Sequence, residues 1–375
     1  MMLPTVKKFA KEVTRMICLQ RERAQKVMEA MKSQGFSQML ISSTESVYYL
    51  TGLWVEPMER LLALYLNTDG RCVLFGNALF GVTQARGMEL QIHTDDDDPV
   101  ADIAKTVADG PLGVDKDWPS RFLLRLMELR PQVRPMVGSA PVDEARKQKD
   151  ETERQAMRAA SAVNDQVMAQ IIGELREGVT EAEMAARVEA LFREHGGERS
   201  NEGQLVCFGA NGADPHHAPV NDTLQPGDSV VLDIFNPIGR YWCDMTRTVF
   251  WKEVSEEQRR VYETVKAANL AAEAVIRPGV KLCDVDRAAR QVIEEAGYGP
   301  YFTHRLGHGC GLSCHEPPDN SASSLAIAQP GMVFSVEPGI YLPGKFGVRI
   351  EDLVLVTETG CQVLNHYSKD LQVLE

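Results

Sequence analysis

Five side chains in this sequence have the types and spacing to hold metal. His308 lies between two glycines, in Gly307-His308-Gly309, and two acidic residues flank it on each side. Asp233 (in Val-Val-Leu-Asp-Ile-Phe) and Asp244 (in Tyr-Trp-Cys-Asp-Met-Thr-Arg-Thr) lie upstream. Glu337 (in Phe-Ser-Val-Glu-Pro-Gly) and Glu351 (in Gly-Val-Arg-Ile-Glu-Asp) lie downstream. Each acid falls inside or at the end of an apolar, β-branched run that reads as a buried strand. Carboxylates are seldom buried unless paired or metal-bound. Four of them converging on one imidazole would repel one another, and a pair of divalent cations relieves that repulsion. The oxygen-rich set suits Mn²⁺ first, with Co²⁺ or Zn²⁺ as alternatives. Two cations about 3.5–4 Å apart would share a bridging hydroxide as nucleophile and polarise a carbonyl. His216 (in Gly-Ala-Asp-Pro-His-His) and His315 (in Ser-Cys-His-Glu-Pro-Pro) are candidate proton handlers, because imidazole titrates near neutral pH. Of the adjacent pair, His216 is preferred and His217 is read as its exposed neighbour. Arg349, two residues before Glu351, either orients carboxylates or forms a structural ion pair. Tyr241 and Thr246 are weaker supporting candidates.

The elements that must position these residues come from a duplication. Glu177-Gly178-Val179 precedes a helical pattern ending at His195-Gly196, and Pro278-Gly279-Val280 precedes one ending at Ala296-Gly297. Gln225-Pro226-Gly227 then leads through an apolar run to Asp233, as Gln329-Pro330-Gly331 leads to Glu337. Asp244 and Glu351 close the two units. Each half is thus expected to supply helices, a strand ending in one carboxylate, and a hairpin strand bearing a second. Packed about a pseudo-two-fold axis, the halves would put all four acids at the centre. Two units are too few for a solenoid.

A separate α/β domain precedes this one, with the boundary placed near residue 148: residues 1–148, then 149–375. Its pattern predicts a helix over 20–34 ended by Gly35 and strands at Gln38–Ser42 and Val47–Leu50. Leu61–Leu66 and Arg71–Phe75 form a hairpin around Asn67-Thr68-Asp69-Gly70. The acidic run Asp95–Asp98 reads as a solvated turn. The stretch from Val142 to about Arg176 is helical and charged.

Composition narrows the function classes. The chain has 375 residues and a net charge of −13, with no basic stretch to attract nucleic acid. No apolar run reaches the roughly 18–20 residues of a membrane span. Residues 1–20 carry charges where a secretory signal would be apolar. None of the eight cysteines forms a Cys-x-x-Cys pair, so reduced thiols and a cytoplasmic location are expected. Cys310 and Cys314 read as small packing residues near the site.

Several of these strings resemble a known family. They are Tyr241-x-x-Asp244-x-Thr-Arg-Thr, Gly307-His308-Gly309-x-Gly-Leu-x-x-His315-Glu316, Val336-Glu337-Pro338-Gly339 and Gly347-Val-Arg-Ile-Glu351-Asp. They are similar to motifs of the metallopeptidases of the creatinase/aminopeptidase, or pita-bread, fold, nearest the Xaa-Pro dipeptidases (prolidases) and Xaa-Pro aminopeptidases. Val47-Tyr-Tyr-Leu-Thr-Gly52 is similar to a segment of the creatinase-type N-terminal domain. The resemblance implies that Asp233 and Asp244 hold one metal, that His308 and Glu337 hold the other, and that Asp244 and Glu351 bridge. It implies Glu337 as general base, His216 and His315 at the scissile group, a proline-containing di- or oligopeptide substrate, and a homodimer. Two departures stand out. Asp233 is followed by Ile-Phe-Asn-Pro-Ile rather than a small, glycine-containing segment. Asp319 lies where prolidases often place an arginine for the dipeptide carboxylate. A longer peptide, a small non-peptide C–N substrate or a lyase reaction on the same scaffold therefore stays open.

Overall fold

A computed structural model describes residues 15–200 and 202–375. Most of the charged N-terminal stretch that argued against a secretory signal lies outside the described residues. The chain divides into two compact units at Arg146/Lys147.

The first unit contains β1 (Arg15–Cys18), α1 (Arg21–Ser33), β2 (Gln38–Ile41), α2 (Thr44–Thr51), β3 (Ala63–Asn67) and β4 (Cys72–Asn77). After these come β5 (Val82–Arg86), β6 (Glu89–His93), α3 (Pro99–Thr106), β7 (Gly110–Val114), α4 (Ser120–Leu129) and β8 (Val133–Val137), and α5 (Ala140–Lys147) runs to the boundary. Six strands form one sheet in the order β6-β4-β3-β2-β7-β8. Leu40, Tyr65, Phe75, Ile103, Leu112 and Leu126 are part of its core. The expected hairpin is β3–β4, and Gly70 supplies the positive φ of +96° at its turn. Asp98 caps α3 by accepting from the Val100 amide, while Asp95 pairs with Arg60. One expectation fails. Val47–Leu50 is helical, as part of α2, and not a strand. A four-residue apolar run has no period that separates the two states, and Gly52, in the left-handed region, ends a helix as readily as it turns a strand.

The second unit shows the duplication in its packing. The first half holds α6 (Glu151–Gly173), α7 (Glu181–Glu194), β9 (Leu205–Phe208), β10 (Ser229–Ile238) and β11 (Tyr241–Trp251). The second half holds α8 (Glu256–Val275), α9 (Leu282–Glu295), β12 (Gly307–Gly309), β13 (Glu316–Asn320) and β14 (Val333–Val336), then β15 (Gly339–Leu342), β16 (Phe346–Arg349), β17 (Asp352–Val356) and β18 (Cys361–Val363). β19 (Val373–Leu374) returns to pair with β11. Each half has its own apolar cluster: Met168, Phe192, Leu232 and Met245 belong to one, and Tyr262, Ile293, Phe334 and Val354 to the other. α6, α7 and α8 each begin with a capping box: Asp150/Glu153, Thr180/Glu183 and Ser255/Gln258. Equivalent buried asparagines tie each long helix to its acid-bearing strand. Asn164 donates to the carbonyl of Ile234, beside Asp233, and Asn269 donates to that of Val336, beside Glu337.

The halves depart from symmetry where the acids sit. Asp233 is the fifth of ten residues in β10, not its end, and β10–β11 runs as one unbroken hairpin. In the second half the strand stops after Val336. Pro338 has no amide hydrogen to continue the ladder, so the hairpin splits into β14, β15, β16 and β17, and Glu351 falls between β16 and β17. The Thr246-Arg247-Thr248 triplet joins the halves. Glu351 N donates to the Thr246 carbonyl (3.1 Å), and Thr248 Oγ1 donates to the Arg349 carbonyl (2.9 Å). Arg247, 1% exposed, donates to the Glu351 carbonyl and pairs with Asp352 at 2.7 Å.

Candidate metal centre

Asp233, Asp244, His308 and Glu351 are buried, at 9, 3, 5 and 2% exposure, and Glu337 is half-buried. All five line one cavity of about 490 Å³, together with His216, His315 and Arg349. The structure therefore brings every candidate ligand and both candidate proton handlers to one place. Strand alternation sets the aim of the first two acids. Asp233 faces Thr246, and Asp244 faces Phe235, in the β10–β11 register. Gly307 is needed because a Cβ there would run into the Ser335 carbonyl, so β12 lies against β14 and His308 N reaches Ser335 Oγ at 2.9 Å.

Three of the acids have one oxygen anchored and one left over. Asp233 Oδ2 is held by Arg349 Nη2 at 2.8 Å. Asp244 Oδ2 accepts from the Cys314 thiol at 3.6 Å, and Glu351 Oε2 accepts from Thr246 Oγ1 at 2.7 Å. The sister oxygens, Asp233 Oδ1, Asp244 Oδ1 and Glu351 Oε1, are buried without a hydrogen-bond partner. Buried polar atoms are almost always satisfied, so three orphaned acceptors in one cavity fit a cation. His308 Nδ1 lies 3.1 Å from the Gly309 carbonyl, while Nε2 faces Asp244 Oδ2 at 3.7 Å and Glu337 Oε1 at 3.5 Å. That backbone contact leaves Nε2 as the ligand nitrogen. Asp244, His308 and Glu351 each offer a donor atom, and these lie within 4.8 Å of one another.

The electrostatics match. Burial, reinforced by neighbouring acids, pushes the Asp244 and Glu351 carboxyls well above their usual range. Burial raises Glu337 to about 7, with Asp233 adding to the shift. Burial lowers His308 to about 3, so its imidazole is neutral. Without cations the cluster holds protons; with them, it presents carboxylates.

Arg349 does both things considered for it. It pairs with Asp233, and its Nε donates to Thr246 Oγ1 at 3.1 Å, which in turn holds Glu351. Its Nη1 donates to Tyr341 Oη at 3.0 Å, and Tyr341 Oη also meets His304 Nε2 at 2.8 Å. His216 is the more exposed of the adjacent pair. His217 is not its exposed neighbour, because its Nε2 is pinned to the buried Glu181 at 2.9 Å. Tyr241 donates to Glu153 on α6. The His308 and His315 rings meet edge to face at 3.9 Å. Burial keeps the Cys310 and Cys314 thiols well above their usual range and so protonated.

Sequence reasoning missed His304, Arg305, Phe235 and Glu202, which also line the cavity. His304 and Arg305 lie four and three residues before His308 in the same loop, and that proximity was the available signal. Phe235 follows Asp233 by two and so shares its face. Asp319, noted for its position, pairs with Arg305 at 2.7 Å.

Comparison with known proteins gives this arrangement a family. Residues 155–358 match the model of metallopeptidase family M24, and residues 23–148 match the creatinase/prolidase N-terminal domain. The chain is 35% identical to YkvY of Bacillus subtilis (strain 168), provisionally named a dipeptidase, over 94% of this chain and 99% of that one. A dipeptidase structure from Pyrococcus horikoshii OT3 superposes with a TM-score of 0.89 at 34% identity, covering 94% of this chain and all of that one. A prolidase structure from Thermococcus sibiricus superposes with a TM-score of 0.88 at 33% identity, over 94 and 99% of the two chains. The chain belongs to metallopeptidase family M24, its catalytic domain preceded by a creatinase/prolidase-type N-terminal domain.

Proposed function

We propose that this metallopeptidase is a dinuclear hydrolase of Xaa-Pro peptide bonds, acting as an Xaa-Pro dipeptidase or aminopeptidase. The observation that carries the dinuclear reading is the set of three orphaned carboxylate oxygens in the cavity that His308 also lines. Asp233 and Asp244 would hold one cation, His308 and Glu337 the other, and Asp244 and Glu351 would be shared. When bound, the cations supply a water acidified toward neutral pH and a Lewis acid for the scissile carbonyl. The prolidase neighbour supports a prolyl substrate, and the dipeptidase neighbour a dipeptide.

The chain's own residues handle the protons. Glu337, a carboxylate once cations are bound, would take a proton from the attacking water as general base. Ser335 Oγ, 3.0 Å from Glu337 Oε1, fixes its orientation. As the C–N bond breaks, the prolyl nitrogen needs a proton it did not carry in the peptide. His216, which lines the cavity wall and whose backbone N donates to Asp214, would give it. His315, packed on His308 and lining the same cavity, would donate to the developing oxyanion.

A panel of Xaa-Pro, Xaa-Ala and Xaa-Pro-Yaa peptides with Mn²⁺, Co²⁺ or Zn²⁺ tests the reading. Turnover confined to prolyl bonds and abolished by chelation is expected. Failure on every prolyl peptide would move the reading to a non-peptide C–N substrate on the same scaffold.

A further inference from the structure

The segment between β9 and β10 brings His216 to the cavity wall, and one buried side chain on α7 anchors that segment. Glu181, in the first turn of α7, is fully buried. Four donors from the segment converge on its carboxyl. Oε1 accepts from the Phe208 amide at 2.7 Å and from Asn211 Nδ2 at 3.0 Å. Oε2 accepts from the Val220 amide at 3.0 Å and meets His217 Nε2 at 2.9 Å. These partners bracket Pro215 and His216, which both line the cavity. His217 is tied back to α7, so the adjacent His216 is the imidazole that reaches the acids' cavity. On its other side the segment lies directly on β16. A Cβ at Gly347 would run into the Gly212 carbonyl, and the Pro215 carbonyl accepts from Arg349 Nη1 at 3.5 Å. The second half repeats the device: Asp286 on α9, also fully buried, accepts from the Leu306 amide two residues before His308.

We infer that Glu181, with His217 as its imidazole partner, is a positioning residue for His216: it fixes the segment that delivers a proton to the leaving nitrogen. This rests on the proton-donor reading of His216 above and deepens it. Two oxygens that each accept twice leave the carboxyl no freedom to turn, so residues 208 to 220 are pinned at both ends and in the middle. An acid that must meet one nitrogen as its bond breaks needs that precision, because a displacement of about 1 Å can cost about a hundredfold in rate. Glu181→Gln keeps the volume and turns one acceptor into a donor that opposes N–H groups. The buried donors then lose their partner, and the segment relaxes to recover one.

The test is a double-mutant cycle on the metal-loaded protein with an Xaa-Pro peptide. Glu181→Gln should lower kcat by about ten- to a hundredfold, with KM and metal content as in the wild type. In a His216→Ala background the same substitution should cost almost nothing further, since residues that act as one unit do not lose their effect twice. His217→Phe, which removes one of the four bonds, should follow the same pattern with a smaller loss. Losses that multiply across the two backgrounds, or an unaltered rate in Glu181→Gln, would overturn the inference and leave the hydrolase reading standing. Hydrogen exchange followed by mass spectrometry needs no turnover. Peptides covering residues 205–222 should exchange faster in Glu181→Gln, while those covering β10 and β11 keep wild-type protection. Wild-type exchange in the 205–222 peptides, or faster exchange throughout the second unit, would overturn the inference whichever bond the protein cleaves.

Discussion

At the scale of single residues, the cavity divides into groups that would hold cations and groups that would move protons. His216 belongs to the second set, so His216→Ala should keep its full metal content and lose about a hundredfold or more in kcat, the range for removing a general acid. Metal analysis beside kinetics checks both halves, and an unchanged rate would take His216 out of the mechanism. Glu337 belongs to both sets and makes metal binding depend on pH. Its carboxyl sits near 7 without cations, so below that pH cation binding must displace its proton, besides those held by the raised Asp244 and Glu351 carboxyls. Apparent Mn²⁺ affinity should therefore fall by about tenfold per pH unit below 7 for each displaced proton. Calorimetry in buffers of different ionisation enthalpy would count those protons. The ligand types were legible in the sequence because each acid interrupts an apolar run. The partners of their second oxygens were not, since Arg349, Thr246 and Cys314 reach Asp233, Glu351 and Asp244 only through the fold.

Secondary-structure elements carry the geometry, and the most exacting of them is the seam between the two halves. Arg247 and Asp352 face each other there at 2.7 Å, both essentially without solvent. Burial alone would raise the Asp352 carboxyl, but Arg247 and Lys369 outweigh it and hold it below the usual range. A depressed folded-state pKa contributes stability above the unfolded carboxylate value, and that stability is lost as pH falls through the folded one. Arg247→Met should cost about 3–5 kcal/mol by leaving a buried charge half-compensated, as urea unfolding at neutral pH would measure. Much at this scale was readable in advance. The Asn-Thr-Asp-Gly turn and the repeated Pro-Gly segments each follow local rules. The helix at Thr44–Thr51 did not, because its short apolar run fits either state. The split hairpin around Glu337 and Glu351 was half-legible through Pro338. The seam function of Thr-Arg-Thr needed the second half in place.

For the whole molecule, the two units have separate cores, and the second is itself two cores joined at a seam lined by acids. Asp244, Glu337 and Glu351 titrate above their usual values when no cation is bound. A raised folded-state pKa contributes stability below the unfolded value, and that contribution disappears as pH rises through the folded one. The metal-free protein should thus weaken as pH climbs through about 7, whereas the loaded protein should not. At a hundredfold excess over Kd, a cation adds about 2.7 kcal/mol. Thermal unfolding with and without chelator, at pH 6 and pH 8, should show the larger gap at pH 8. The duplication was the global feature most legible in the sequence, since its repeated Pro-Gly turns survive divergence.

The central claim, that these acids and His308 form one cage for two cations, is tested most directly by counting. Protein stripped with chelator, reloaded with Mn²⁺ and freed of excess should carry two equivalents per chain by elemental mass spectrometry. Asp244→Asn and Glu351→Gln, which alter the two shared ligands, should each fall well below two. Wild-type protein that retains no more than one equivalent under saturating Mn²⁺, or variants that retain two, would contradict it.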